Sequence, residues 1–270
     1  MDVKVIPAIL ALTMTRSIFG ADGDMRPVKA ALPRFIPGDD RAVLLIHGFT
    51  GIPKHMDYLA AHLSALGFTV SIPRLPGHGT NARDFVGSGW RDWLRRATDA
   101  YAELATNYRE VYLAGLSMGG VLAIILAGTF RPTRIALCAP AVQVTNKLLP
   151  FARLAAPFIK KYRIPFQPSE DDEELAYLER EYWSHDWVKP GADLYKLMTI
   201  SRARLSSVVS PSLVILSEKD DVVPLSAGQL IQRRIASTSV KTVTLTESEH
   251  NVVDGSERQR VAEEIGAWFT

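Results

Sequence analysis

The chain has 270 residues and 29.8 kDa, with 47% hydrophobic, 22% charged and 9% aromatic side chains, enough for a substantial core and outside the disordered, collagen-like and coiled-coil classes. Lys and Arg number 31 against 29 Asp and Glu, a net charge of +2, so no global field holds nucleic acid or an anionic membrane. The single cysteine, Cys138, can make neither an internal disulfide nor a cysteine metal cluster, and stability must come from packing.

In chain order, the apolar stretch 5–14 is followed by Arg16 and is about half the length of a membrane-spanning helix, so no integral membrane segment is expected. Residues 1–21 have features of a weak secretory signal: Lys4, an apolar centre and a small-residue exit at Gly20 and Ala21. Pro7 interrupts the apolar part, which favours an N-terminal arm or strand over residues 1–40 and a cytoplasmic location. From Arg41 onward, β-branched or apolar runs of strand length (42–46, 68–72, 111–114, 134–137, 213–216 and 241–245) alternate with segments of helical period (55–66, 90–107, 118–128, 227–235 and 257–269). That rhythm predicts an α/β fold, a mostly parallel sheet with helices on both faces.

One interval breaks it. About seventy residues separate the strand ending near Leu137 from that starting at Leu213, more than one crossover needs. The interval carries Leu148, Leu149, Phe151, Leu154, Phe158 and Ile159, then Tyr162 and Phe166, an acidic run at 170–174, and Tyr177, Trp183 and Trp187. The first six have the period of a helix whose apolar face could cover one end of the sheet. The expected organisation is therefore a core of 1–140 and 208–270 with a small helical cap insertion at 141–207. Clustered carboxylates at 170–174 could bind a hard cation, but Ser169 before them makes a good N-cap and first-turn carboxylates suit a helix dipole, so the run is expected to start a solvated helix.

The strongest chemical signal is Gly115-Leu116-Ser117-Met118-Gly119-Gly120, a G-x-S-x-G pattern with a strand before it and a helix after. In that setting the serine sits on a sharp turn at the carboxyl edge of the sheet, where open α/β sheets place their ligands. A serine hydroxyl needs a base to take its proton and a carboxylate to orient the base. Of six histidines, His250 follows the last strand, where the order serine, acid, histidine puts the base. His55 and His62 read as surface or packing residues, and His185 lies in the insertion. The acid is expected after residues 213–216, where Asp220 and Asp221 compete. Two backbone donors for an oxyanion are expected at Met118, directly after the serine, and at Phe49 in the loop after strand 42–46, where Gly48 lets the backbone approach. His47 in that turn reads as a structural hydrogen-bonding residue.

Taken together, residues 45–51 (LIHGFTG), 73–80 (PRLPGHGT), Asp92-Trp93, 115–120 and 217–224 (SEKDDVVP) resemble the α/β-hydrolase family, and within it bacterial monoacylglycerol lipases and the related thermostable carboxylesterases. The likeness runs from about residue 42 to the C-terminus and touches the insertion at 174–177 (ELAY). It implies the nucleophile at Ser117, the histidine at His250, the oxyanion donors at Phe49 and Met118, and the acid at Asp220, four residues before Pro224. It implies no cofactor and no metal, and a small-molecule ester as partner. Asn251 after the histidine and the long N-terminal forty residues depart from the pattern.

The resulting expectation is a serine hydrolase that cleaves esters with a single acyl chain, with a general short-chain or aromatic-acid carboxylesterase as the alternative. A catalytically silent receptor on the same fold is a third class, opposed by the complete set of chemical residues. Neither a G-x-G-x-x-G nor a P-loop pattern occurs, which leaves nucleotide chemistry unsupported.

Overall fold

The computed structural model describes residues 26–164 and 172–270; the predicted signal-like segment 1–21, Phe166 and Ser169 lie outside them. Strands β1 (Arg34–Ile36), β2 (Arg41–Ile46), β3 (Thr69–Ile72), β4 (Glu110–Leu116), β5 (Ile135–Cys138), β8 (Ser212–Ser217) and β9 (Val240–Leu245) form one sheet in the order β1-β3-β2-β4-β5-β8-β9. Only β1 runs antiparallel, pairing Arg34 with Ile72. Two further strands, β6 (Lys161–Arg163) and β7 (His185–Trp187), make a separate antiparallel pair in the insertion. Each of the six strands expected from the sequence is present, shifted by one or two residues at its ends, as is normal for element boundaries.

β2 shows why the sheet is buried on both faces. Ala42, Leu44 and Ile46 point into one apolar layer, and Val43 and Leu45 into the other, the two-residue alternation of a strand with helices on either side. One layer is covered by α1 (Asp57–Ala65) and α9 (Arg258–Phe269), which pack on each other. The other layer holds α3 (Trp90–Asn107), α4 (Met118–Phe130) and α8 (Ser226–Arg234). Met118 through Ala127 are all buried in α4: a helix apolar all round belongs in the middle of a core. A short helix, α2 (Ala82–Gly87), is capped by Asn81, whose side chain accepts the Asp84 amide at 2.9 Å.

The insertion divides. Residues 149–151 form a single 3-10 turn and α5 (Ala152–Ala155) adds four residues, after which α6 (Glu173–Leu178) leads into β7. The continuous helix expected over 148–159 does not form: Ala156 still has helical backbone, but Pro157 has no amide to continue the hydrogen-bond ladder. The carboxylates do begin a helix, but its N-cap is Asp172, which accepts the amides of Glu174 and Leu175 at 3.0 and 3.2 Å. Glu174 is not simply solvated: it accepts the Lys29 and Ala30 amides at 3.0 and 2.9 Å. The insertion ends in α7 (Val188–Arg204), which packs along α4 and buries Leu197 and Met198 in the main core. Among the described residues no helix is long and apolar enough to cross a membrane.

Candidate active site

Four loops converge at the carboxyl edge of the sheet, because parallel strands deliver their ends on the same side. They follow β2 (47–51), β4 (Ser117), β8 (218–224) and β9 (246–250). Ser117 occupies the left-handed region at φ 55°, ψ −111°, which costs a non-glycine residue on the order of 1–3 kcal/mol and must be held by its surroundings. Its amide donates to the Cys138 carbonyl at 2.8 Å, and its carbonyl accepts Val121 and Ala141. The turn is possible because Gly115 and Gly119 lack side chains: a Cβ on Gly119 would lie 2.0 Å from the Ile46 carbonyl oxygen, and one on Gly115 2.3 Å from Gly119. Gly48 is less constrained, since a Cβ there meets Leu116 and Ser117 at 3.4 Å, ordinary contact. Of the two, Gly119 is the position that admits no side chain.

The structure brings together Ser117, His250 and Asp220. His250 Nε2 is 2.9 Å from Ser117 Oγ, and His250 Nδ1 is 2.8 and 3.0 Å from the two Asp220 oxygens. Asp220 Oδ1 also accepts the amides of Val222 and Val223 at 2.8 and 2.9 Å, and its side chain is fully buried. Asp221 is exposed and contributes only its carbonyl, accepting Thr145 Oγ1 at 2.6 Å. Burial thus separates two aspartates that the spacing alone left open.

Met118 follows Ser117 directly, and the loop carrying Phe49 approaches it at Gly48, where an added Cβ would lie 3.4 Å from the Ser117 Cβ. The Met118 amide opens α4 and so has no helical partner, and the Phe49 amide makes no hydrogen bond among the described residues. His47 fixes the loop between them: its Nδ1 donates to the Gly48 carbonyl at 3.0 Å while Nε2 accepts the Leu75 amide at 3.1 Å. Burial, aided by the neighbouring His78, holds its pKa well below the usual histidine value, so it is neutral and structural.

Sequence reasoning missed two supports. Trp183, from the insertion, donates its indole N–H to the Thr50 carbonyl at 2.7 Å and so anchors the Phe49 loop. Glu257, just before α9, accepts the amides of Glu247 and Ser248 at 2.9 and 3.0 Å and the Ser248 hydroxyl at 3.1 Å, while the Ser217 hydroxyl donates to the Ser248 carbonyl. The turn carrying His250 is thereby held from both sides. A glutamate at a helix start was visible in the sequence; its distant partners were not. His185 does not join the site and hydrogen-bonds its neighbour Ser184.

An apolar cavity of about 520 Å³ opens beside this group, within the range of small-molecule sites. Phe49, Asp221 and Val222 bring its lining to the loops that carry the group, and Leu149, Phe151, Ile159, Trp187, Gly191 and Leu194 are among its other walls. Its polar positions are Thr145, Asn146, Asp186 and Asp221.

Residues 43–264 match the alpha/beta hydrolase family model. The chain belongs to the alpha/beta hydrolase family. A thermostable monoacylglycerol lipase from Bacillus sp. (strain H-257) is 31% identical over 225 residues, 83% of this chain and 88% of that one. A carboxylesterase from Bacillus subtilis (strain 168) is 27% identical over 240 residues, 86% of this chain and 94% of that one. Among solved structures, one from work on two metagenome-derived lipolytic enzymes superposes with a TM-score of 0.81 at 28% identity, over 90% of this hydrolase and 99% of that chain.

Against His47, with ring centroids 5.1 Å apart, lies a second buried histidine. His78 is fully buried, and burial, opposed in part by the Pro76 carbonyl, lowers its pKa from 6.5 to about 4. The unfolded chain binds this proton near pH 6.5 and the folded one only near pH 4, so stability is complete above 6.5 and falls as pH drops through that window. A shift of this size is worth about 3 kcal/mol. Urea unfolding between pH 7 and 4 should show that loss in the parent and a smaller one in His78→Phe; equal pH dependence would contradict the assignment.

Proposed function

We propose that the chain is a cofactor-independent serine hydrolase that cleaves carboxylic esters with a single acyl chain, monoacylglycerols among them, through an acyl-enzyme on Ser117. Its class, carboxylic ester hydrolase, is that of the relatives just named. The observation that carries the reading is a Ser117–His250–Asp220 relay opening beside an apolar cavity, one wall of which is Phe49.

In this mechanism Ser117 Oγ attacks the ester carbonyl carbon as its proton passes to His250 Nε2. The carbonyl electron pair moves onto oxygen, where the amides of Phe49 and Met118 receive it; the helix dipole at Met118 adds to their effect. Collapse of the adduct breaks the bond to the alcohol, which leaves with the proton from His250. Water then repeats the sequence, giving its proton to His250 and its oxygen to the acyl carbon, and Ser117 is restored. Asp220 holds Nδ1–H throughout, so Nε2 is the nitrogen free to accept. The described parts of the insertion, 141–164 and 172–187, serve as the cap over this edge, while 188–207 return the chain through the core.

The acyl chain is assigned to the apolar cavity. Each buried methylene is worth about 0.8 kcal/mol, so kcat/KM should rise by up to about fourfold per methylene until the cavity is full. Measured over esters from two to sixteen acyl carbons, a rising profile with activity on monoacylglycerols is expected. A maximum at acetyl or propionyl without monoacylglycerol activity would leave the short-chain carboxylesterase reading. Gly191 sets the depth: a Cβ there would touch Leu149 at 3.4 Å without clash, so Gly191→Leu extends into the cavity. The variant should lose about tenfold or more on the longest good substrate while keeping activity on butyrate esters; an unchanged profile would place the acyl chain elsewhere.

A further inference from the structure

A net charge near zero conceals a local excess. Residues 141–164 contain no Asp or Glu, and Lys147, Arg153, Lys160, Lys161 and Arg163 all lie exposed on this one segment. Interleaved with them are large apolar side chains that the fold leaves in water: Phe158 is 87% exposed, Leu148 76%, Leu154 74% and Phe151 60%, with Ile159 and Tyr162 each at 49%. Among the described residues, Asp186 on β7 stands opposite Tyr162 in the strand pair, and Asp221 shares the cavity wall with it. Scattered single apolar residues are ordinary on a surface, but a contiguous group of this kind marks an interaction site.

Leu148, Phe151, Ile159 and Tyr162 also line the cavity beside Ser117, so the patch is its outer rim. A protein seated there would stop the entrance. A lipid surface would satisfy the apolar side chains, match the cations, and present chains directly to the cavity.

We infer that residues 147–163 dock the enzyme on anionic lipid surfaces, with Leu154 and Phe158 inserted among the acyl chains and Arg153, Lys160 and Lys161 set against negative head groups. This rests on the proposed function only for its purpose, since adsorption needs no catalysis. Binding is therefore measured with Ser117→Ala, by co-sedimentation with vesicles of phosphatidylcholine alone and of phosphatidylcholine with an equal proportion of phosphatidylglycerol. The Ser117→Ala chain should bind the anionic vesicles at least about tenfold more tightly than the neutral ones, and less tightly as salt is raised. Adding Arg153→Glu and Lys160→Glu should remove that preference, and adding Leu154→Ser and Phe158→Ser should remove binding to both. The same surface substitutions in the active chain should leave hydrolysis of a soluble short ester unchanged, which shows that they fold. Absence of vesicle binding, equal binding to both compositions, or binding that survives the Leu154 and Phe158 changes would overturn the inference. So would self-association through this patch without lipid binding, seen in analytical ultracentrifugation.

Discussion

Ser117→Ala is expected to lower kcat for a soluble ester by about a millionfold, the scale of loss when a serine nucleophile of this kind is removed, with the fold intact. Alanine can occupy the turn because the strain at φ 55° is borne by the glycines around it and by the Cys138 and Ala141 backbone contacts. No other hydroxyl is held by His250: among the described residues its Nε2 contacts Ser117 Oγ alone. Thermal unfolding that matches the parent, together with turnover reduced to background, is the expected pair of results. Retention of more than a small fraction of activity would mean that water or another residue attacks the ester.

Asp220→Asn should cost about ten-thousandfold in kcat, comparable to removal of the aspartate charge from a serine-protease triad. The reason is geometric. Asp220 Oδ1 accepts the Val222 and Val223 amides, so an asparagine must put its carbonyl oxygen there and its NH2 where Oδ2 now faces His250 Nδ1 at 2.8 Å. An NH2 donor forces the imidazole into the tautomer with hydrogen on Nε2, which cannot take the Ser117 proton. Asp221→Asn, at an exposed side chain, should change kcat by no more than a few-fold. Equal losses at the two positions would contradict the assignment of the acid.

The parallel core was legible in the sequence for a physical reason. Strands buried on both faces, such as β2 and β4, read as short unbroken apolar runs, and α3 announces itself over 90–107 by a clean apolar stripe. β1, β6 and β7 have three residues each, too few for a period to register, and they exist through pairing with partners distant in the chain. α7 falls inside the insertion expected at 141–207, which rested on the length of the interval; Pro190 is tolerated in its first turn, and burial of Leu197 and Met198 against α4 ties it to the core. The elbow at Ser117 was plain from its glycines, whereas the choice between Asp220 and Asp221 depended on which carboxylate the loop turns inward. The apolar period at 148–159 misled: the helix stops at Ala155, just before Pro157, and the side chains expected to cover the sheet stand partly in water, around the mouth of the cavity.

The central claim is that the ester's acyl group is transferred to Ser117 before water removes it. Rapid-quench mixing with a slowly deacylating nitrophenyl ester, followed by intact-mass and peptide mass spectrometry, tests it directly. The expected result is a burst of one equivalent of nitrophenol per chain, with the acyl mass on the peptide containing Ser117 and absent from the Ser117→Ala protein. Steady turnover by the unmodified chain with no burst and no acyl adduct under conditions that trap a deacylation-limited intermediate, or an adduct on another residue, would contradict it.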